Sequence, residues 1–165
     1  MRPGRVGDAD ALGRVHTQVW HEAYASLMPA AFLGGLDAAQ AAERWRLRLE
    51  VDEPDSVVVV AHLPDGELVG FATAGLTRDD DGPTAWELYS INVLAAHHGT
   101  GVADDLLVAA VGDRPASLWV LTGNHRAQSF YSRYQFAPDG STKVHEATGA
   151  AEIRLTRGGT GATTG

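Results

Sequence analysis

Apolar residues recur at helical spacing from Leu12 through Val15 and Val19 to Ala23, with Trp20, Tyr24 and Leu27 beside that stripe. This predicts a first helix capped by Asp8. Pro29 interrupts it, a short helical turn is expected over 30–36, and Asp37 with Gln40 forms a capping box for a helix to about residue 50, with Trp45 inward. The period then changes. Residues 57–63 are β-branched and almost unbroken, Pro64-Asp65-Gly66 is a turn, and 68–76 read as the returning strand of an antiparallel hairpin. Beyond a solvated loop at 79–83, residues 84–93 read as a central strand. A Gly-containing loop at 97–101 leads into a helix with Leu106, Leu107, Ala110 and Val111 inward and Asp104 and Asp105 outward. A short strand is expected at 117–121 and a last one at 152–156. Between them Asn124 starts a helix with Ala127, Phe130, Tyr131 and Tyr134 on one face. The fold class is α/β (α+β), with a single domain over 1–157 and a flexible tail at 158–165.

The chain has 165 residues, 44% hydrophobic and 21% charged, which suits one domain with a substantial core. No apolar run approaches the ~18 residues that cross a bilayer, and residues 1–10 lack the apolar core of a signal peptide. No membrane partner and a cytoplasmic location are therefore expected. The chain has no cysteine, which excludes disulfides, thiolate metal sites and a cysteine nucleophile. With 21 acidic against 13 basic residues and a net charge of -8, a nonspecific nucleic-acid binder is not expected. The same charge permits a cationic substrate and also serves plain solubility. The 7 histidines include His97-His98 but no i, i+4 pair and no HExxH arrangement, so no metal site is expected.

A strand that runs into a Gly loop and then a helix presents unpaired main-chain N–H groups at a helix start, where the dipole favours an anion. Gly99 and Gly101 allow a tight turn and close approach to phosphate oxygens. A P-loop would need Lys followed by Ser or Thr where Ala103-Asp104 stands, and a dinucleotide loop would need glycine at 104 and a preceding βαβ unit. A coenzyme A diphosphate loop remains, beside the plain alternative of a turn joining strand to helix.

The loop has company. His98-Gly99-Thr100-Gly101-Val102-Ala103 resembles the cofactor loop of the GNAT superfamily of N-acetyltransferases, with His98 in place of the usual Gln or Arg. The strand from Glu87 to Leu94 is similar to that family's fourth strand, with Asn92 in place of an aromatic. The segment from Asn124 to Phe136 looks like its Asn, Arg-Ala, Phe-Tyr, Gly-Phe helix, with Gln135 at the glycine.

The resemblance implies a mixed, mostly antiparallel central sheet splayed between its fourth and fifth strands and flanked by about four helices. It also implies acetyl-CoA as cosubstrate, with no metal. Ile91, Asn92 and Val93, the residues from His98 to Ala103 (His98, Gly99, Thr100, Gly101, Val102 and Ala103), Asn124 and Tyr131 would then hold the cosubstrate. The Val93 N–H would stabilise the thioester oxygen as it gains charge. An alkyl amine is mostly protonated at neutral pH, so transfer requires a base. Glu87 is the candidate, because burial in an apolar strand raises a carboxyl toward the working range. Its alternative is a surface glutamate on an edge strand. Tyr131 is the candidate proton donor to the departing sulfur, or else a core aromatic beside Phe130 and Tyr134. Trp20, His21, Tyr24 and Trp45 are candidates to line the acceptor pocket. The expected partner is a primary amine, either a small molecule or a peptide N-terminus. A homodimer is the common assembly among proteins so built. Transfer of a longer acyl chain and a noncatalytic acyl-CoA-binding regulatory module are the competing functions.

Overall fold

Strand β1 (Arg2–Pro3) and a single tight helical turn lead into α1 (Ala9–Tyr24), whose apolar stripe buries Leu12, Val15 and Val19. The computed structural model describes residues 1–158 apart from 27, 52 and 147. The expected place of Leu27 beside the α1 stripe and the expected flexible tail beyond 158 lie outside the described residues. Asp8 corrects the expected cap. Its backbone is already helical (φ -87, ψ -7) and its side chain caps nothing in α1. The carboxylate instead accepts from Arg2 Nη1 and Nη2 at 2.8 and 2.7 Å and from the Arg5 N–H at 2.8 Å. A forked, charge-assisted pair outcompetes one neutral amide donor.

Helix α2 (Ala30–Gly34) is a short turn, and α3 (Ala38–Glu50) starts where the Asp37 side chain accepts from the Gln40 N–H at 2.8 Å. The hairpin expected next is present as β2 (Ser56–His62) and β3 (Leu68–Leu76), paired antiparallel. Then follow β4 (Trp86–Val93), α4 (Val102–Val111), β5 (Ala116–Leu121), α5 (His125–Ser132), β6 (Ala137–Val144) and β7 (Ala151–Arg157). The loop at 79–83 is less solvated than expected. Buried Arg154 of β7 anchors it, contacting Asp79 and Asp81 at 3.3 and 3.2 Å.

The seven-stranded sheet has the order β1-β2-β3-β4-β5-β7-β6, antiparallel except between β4 and β5. Successive β3 residues point to opposite faces. Phe71 meets His16 of α1 and Trp45 of α3 with ring centroids 5.8 and 4.9 Å apart, whereas a Cβ on Gly70 would lie 3.3 Å from Leu106 of α4. Helices α1 and α3 therefore cover one face and α4 the other. Leu12, Leu88, Leu106, Leu107 and Leu118 are fully buried in the resulting core, each contributing about 1.5–3 kcal/mol. Among the described residues no helix is long and apolar enough to cross a membrane.

Two irregularities in β4 prepare a site. Opposite the step from Thr73 to Ala74 on β3, β4 goes from Ser90 to Leu88, so Tyr89 is an extra, unpaired residue. Such a bulge bends the strand and re-aims its side chains. On its other edge β4 pairs with β5 only at Glu87↔Ser117 and Leu88↔Leu118. Beyond Leu88 the two strands part.

Candidate active site

The gap between β4 and β5 opens into a cleft of about 1060 Å³. It gathers Glu87, Ile91, Asn92 and Val93 from β4. The following loop and α4 add His98, Gly99, Gly101 and Ala103, and α5 contributes Asn124 and Tyr131. Trp20 and Tyr24 of α1 and Trp45 of α3 line another wall. Thr100 and Val102 lie outside the lining, and so does His21, which is exposed on α1.

The loop has the geometry of an anion cradle. Gly99 and Gly101 are left-handed, at φ 76 and 89, and a Cβ on either would meet no protein atom within 4 Å. Gly101 is the N-cap of α4 and offers no side chain, so the first amides of the helix stay uncapped at the cleft wall. The loop is braced from within. Thr100 Oγ1 donates to His97 O at 2.7 Å, and His98 Nε2 lies 2.8 Å from Val93 O. A carbonyl only accepts, so Nε2 is the donor in this contact. His98 thereby ties the loop to the end of β4.

Alternate main-chain groups of a strand face opposite edges. The Leu94 N–H donates to Val69 O of β3 at 3.0 Å, so the Val93 amide faces the gap, as its carbonyl does toward His98. Asn124 caps α5 through Oδ1, which accepts from the Ala127 N–H at 3.1 Å, and its amide NH₂ remains for other partners.

Glu87 is 1% exposed, one of the few fully buried charged groups. Arg78, from the loop before β4, meets both of its oxygens, with Nη2 donating to Oε1 at 2.6 Å and its main-chain N–H to Oε2 at 2.8 Å. A carboxylate has about four acceptor sites, so acceptor capacity remains. Tyr131 is buried beside Phe130 and Phe136, and its hydroxyl has no hydrogen-bond partner among the described residues. Burial, then the nearby Tyr24, pushes its phenol well above the ordinary range, so it stays protonated.

Asp104, on the first turn of α4, is held by the turn that follows α5. Its Oδ1 accepts from the Tyr134 hydroxyl at 2.5 Å and from Arg133 Nη2 at 3.3 Å. The Tyr134 bond, aided by Arg133, keeps this carboxyl below its usual range, so a charge stands at the mouth of the loop.

Arg78, Arg48, Tyr89 and His16 are among the cleft residues that sequence reasoning did not single out. Arg78 reaches Glu87 through a turn, and Tyr89 is displaced by the bulge. Arg48 leans over the rings of Trp45 and Tyr89. His16 packs among Trp20, Trp45 and Phe71 with Nδ1 buried and unpartnered. Burial, with Arg44 in support, lowers its pKa.

The sequence profile of the acetyltransferase (GNAT) family matches residues 20–136. The chain is 25% identical over 140 residues to YuaI of Bacillus subtilis strain 168, described as an uncharacterized N-acetyltransferase, covering 81% of this chain and 78% of that one. Among solved structures it resembles the PaiA N-acetyltransferase of Thermoplasma acidophilum in complex with coenzyme A. There the TM-score is 0.74 at 16% identity, over 94% of this chain and 97% of the other. NAA60 of Arabidopsis thaliana in complex with acetyl-CoA gives 0.64 at 19% identity, over 94% and 96% of the two chains. These structural likenesses show a shared fold.

Proposed function

Since the chain belongs to the acetyltransferase (GNAT) family, we propose that it moves the acetyl group of acetyl-CoA onto a primary amine by direct attack within a ternary complex. The observation that carries this reading is the parting of β4 and β5 after Leu88, beside a helix start whose amides are uncapped and flanked by left-handed glycines. The coenzyme A complex of PaiA and the acetyl-CoA complex of NAA60, proteins of the same fold, support it. The cosubstrate fits the residues present: the space beside Gly99 and Gly101 that a Cβ would enter is open, and the donors there suit a diphosphate. Acetyl-CoA supplies an activated acyl carbon and a thiol leaving group.

The chain's own groups then have distinct tasks. Amides from 99 to 103 hold the diphosphate, and the free edge of β4 at Ile91 and Val93 pairs with the pantetheine arm. The Val93 N–H donates to the thioester oxygen as that oxygen gains charge. Glu87 removes the proton that the amine must lose, directly or through one water. Tyr131, protonated by virtue of its burial, gives its proton to the departing sulfur. With no cysteine in the chain, no acyl-cysteine intermediate is available.

A thiol-release assay over a panel of amines tests the proposal. Turnover is expected with the wild type, with kcat falling about 100-fold or more in Glu87→Gln and less in Tyr131→Phe. Acetyl-CoA binding without turnover on any acceptor would favour a noncatalytic acyl-CoA module instead.

A further inference from the structure

At the acceptor end of the cleft, Arg48 is a cation with no matching anion among the described residues. Arg48 projects from the last turns of α3 into the cleft, its guanidinium 5.8 Å from the Trp45 ring centroid and 5.9 Å from that of Tyr89. Its Nε is buried without a hydrogen-bond partner, and no carboxylate among the described residues lies within salt-bridge distance. Buried donors ordinarily find acceptors, and a planar guanidinium fork suits a carboxylate or phosphate.

The neighbouring charges are committed. Arg78 lies over the Tyr89 ring, 4.1 Å from its centroid, and is paired with Glu87 at 2.6 Å. Lys143 lies 4.0 Å from Glu152, and Asp79 takes Trp119 Nε1 at 2.7 Å together with Arg154 at 3.3 Å. Glu53, close enough to influence the Tyr89 phenol, accepts from Ser56 Oγ at 2.9 Å. Tyr89 stands four residues before Val93, about 13 Å along the strand, whereas the diphosphate loop begins beyond Val93. The anion that Arg48 awaits is therefore not the diphosphate of the cosubstrate. It lies on the side of Glu87.

From this arrangement, and resting on the acetyl-transfer reading above, we infer that Arg48 is the anion-binding residue of the acceptor site and that the acceptor is an amine that also carries a carboxylate or phosphate. The amine would face Glu87 while the oxyanion meets the Arg48 fork over Tyr89. This local match overrides the cationic acceptor that the chain's overall negative charge permits.

The test compares ω-amino acids, aminoalkyl phosphates and aminoalkanols of matched chain length in the thiol-release assay, with the wild type, Arg48→Met and Arg48→Lys. The wild type is expected to favour one or both anionic series over the alkanols by about ten- to a hundredfold in kcat/KM, mostly through KM. Arg48→Met should collapse that ratio, and Arg48→Lys should restore part of it. The ratio of the two anionic series tells carboxylate from phosphate. Thermal shift of the acetyl-CoA-saturated protein by the same compounds reads the subsite without turnover. Protection by an anionic series that Arg48→Met abolishes, with no thiol released, would leave the subsite standing and remove the transfer reading. Turnover of alkanols as fast as of the anionic amines, or the same ratio in wild type and Arg48→Met, would overturn the Arg48 inference alone. Absence of both anion protection and anion preference overturns it whatever the turnover.

Discussion

Leu88 of β4 and Leu118 of β5 are the last residues that the two strands pair, and both are fully buried. They pin the sheet shut on one side while the edge from Tyr89 to Val93 stays free for a ligand. The two groups proposed for catalysis line the cleft that opens there: Glu87 beside the pin on the same strand, and Tyr131 on α5.

Glu87 and Tyr131 should separate in their kinetic signatures. Activity of the wild type is expected to rise with pH as the acceptor amine loses its proton. No loss from Tyr131 is expected below about pH 10, because burial keeps the phenol protonated there. Glu87→Gln should lower kcat/KM across the profile while leaving acetyl-CoA affinity within about twofold. Rate–pH profiles of kcat/KM with parallel acetyl-CoA titrations check this, and an unchanged kcat/KM in Glu87→Gln would assign the base elsewhere.

Asp8 and Arg2 give a stability signature on the acid side. The Arg2 hydrogen bonds, then the Arg5 amide, hold the Asp8 carboxyl below its usual range. A folded value lowered in this way adds stability above the unfolded value near ~3.9 and loses it as pH falls through the folded one. The Arg2 side chain is 35% exposed, so solvent screening limits the effect to about 1 kcal/mol. Asp8→Asn is therefore expected to lower Tm by a few degrees at pH 7, with the two curves converging as pH falls through the folded value. Thermal denaturation across that range reads it directly.

Gln135 is the one non-glycine residue with positive φ among those described, at 65. It closes α5 in a Schellman turn, with the Phe136 N–H donating to Tyr131 O at 3.2 Å and the Gln135 N–H to Ser132 O at 3.1 Å. The same turn seats the Phe136 ring 5.9 Å from Tyr131. Gln135→Gly should raise stability by roughly 0.5–1 kcal/mol, and Gln135→Val should lower it by at least about 1 kcal/mol and reduce kcat as Tyr131 loosens. Paired melting and activity measurements check both directions.

Asp104 places a charge where a diphosphate would arrive, although Tyr134 and Arg133 hold it toward α5. Asp104→Asn is expected to tighten coenzyme A binding about two- to fivefold at low salt, with the gain shrinking as salt rises. The same change removes a favourable charge at the start of α4 and should lower stability by about 0.3–1 kcal/mol. Titration at two salt concentrations, with melting curves alongside, measures both effects.

The period of apolar residues made most elements readable, because β2, β3, β4 and α4 bury continuous or regularly spaced apolar side chains. Strand β6 was not readable. Its sequence, Ala137–Val144, contains Pro, Asp, Gly and Ser, and it lies almost wholly exposed at the sheet edge, held by main-chain pairing to β7. The two-residue β1 is too short to carry a pattern. Within the site, the Gly loop and the capping Asn124 were legible because backbone conformation dictates residue type there. Arg78 and Arg48 were not, since a turn brings Arg78 to Glu87 while the bulge at Tyr89 and the crossing of α3 over the sheet bring Arg48 and Tyr89 together. Asp8 was misread as a cap because Arg2 competes for it, a contact that exists only once β1 joins the sheet.

The central claim is that main-chain amides at the start of α4 bind the diphosphate of coenzyme A. Calorimetric titration of coenzyme A into the wild type, Gly99→Ala and Gly101→Ala measures it, with melting curves to confirm that each variant is folded. The account expects saturable one-to-one binding in the wild type and affinity lowered about tenfold or more where a Cβ enters the cradle. No heat and no thermal protection in the wild type, or equal affinity in all three proteins, would contradict it.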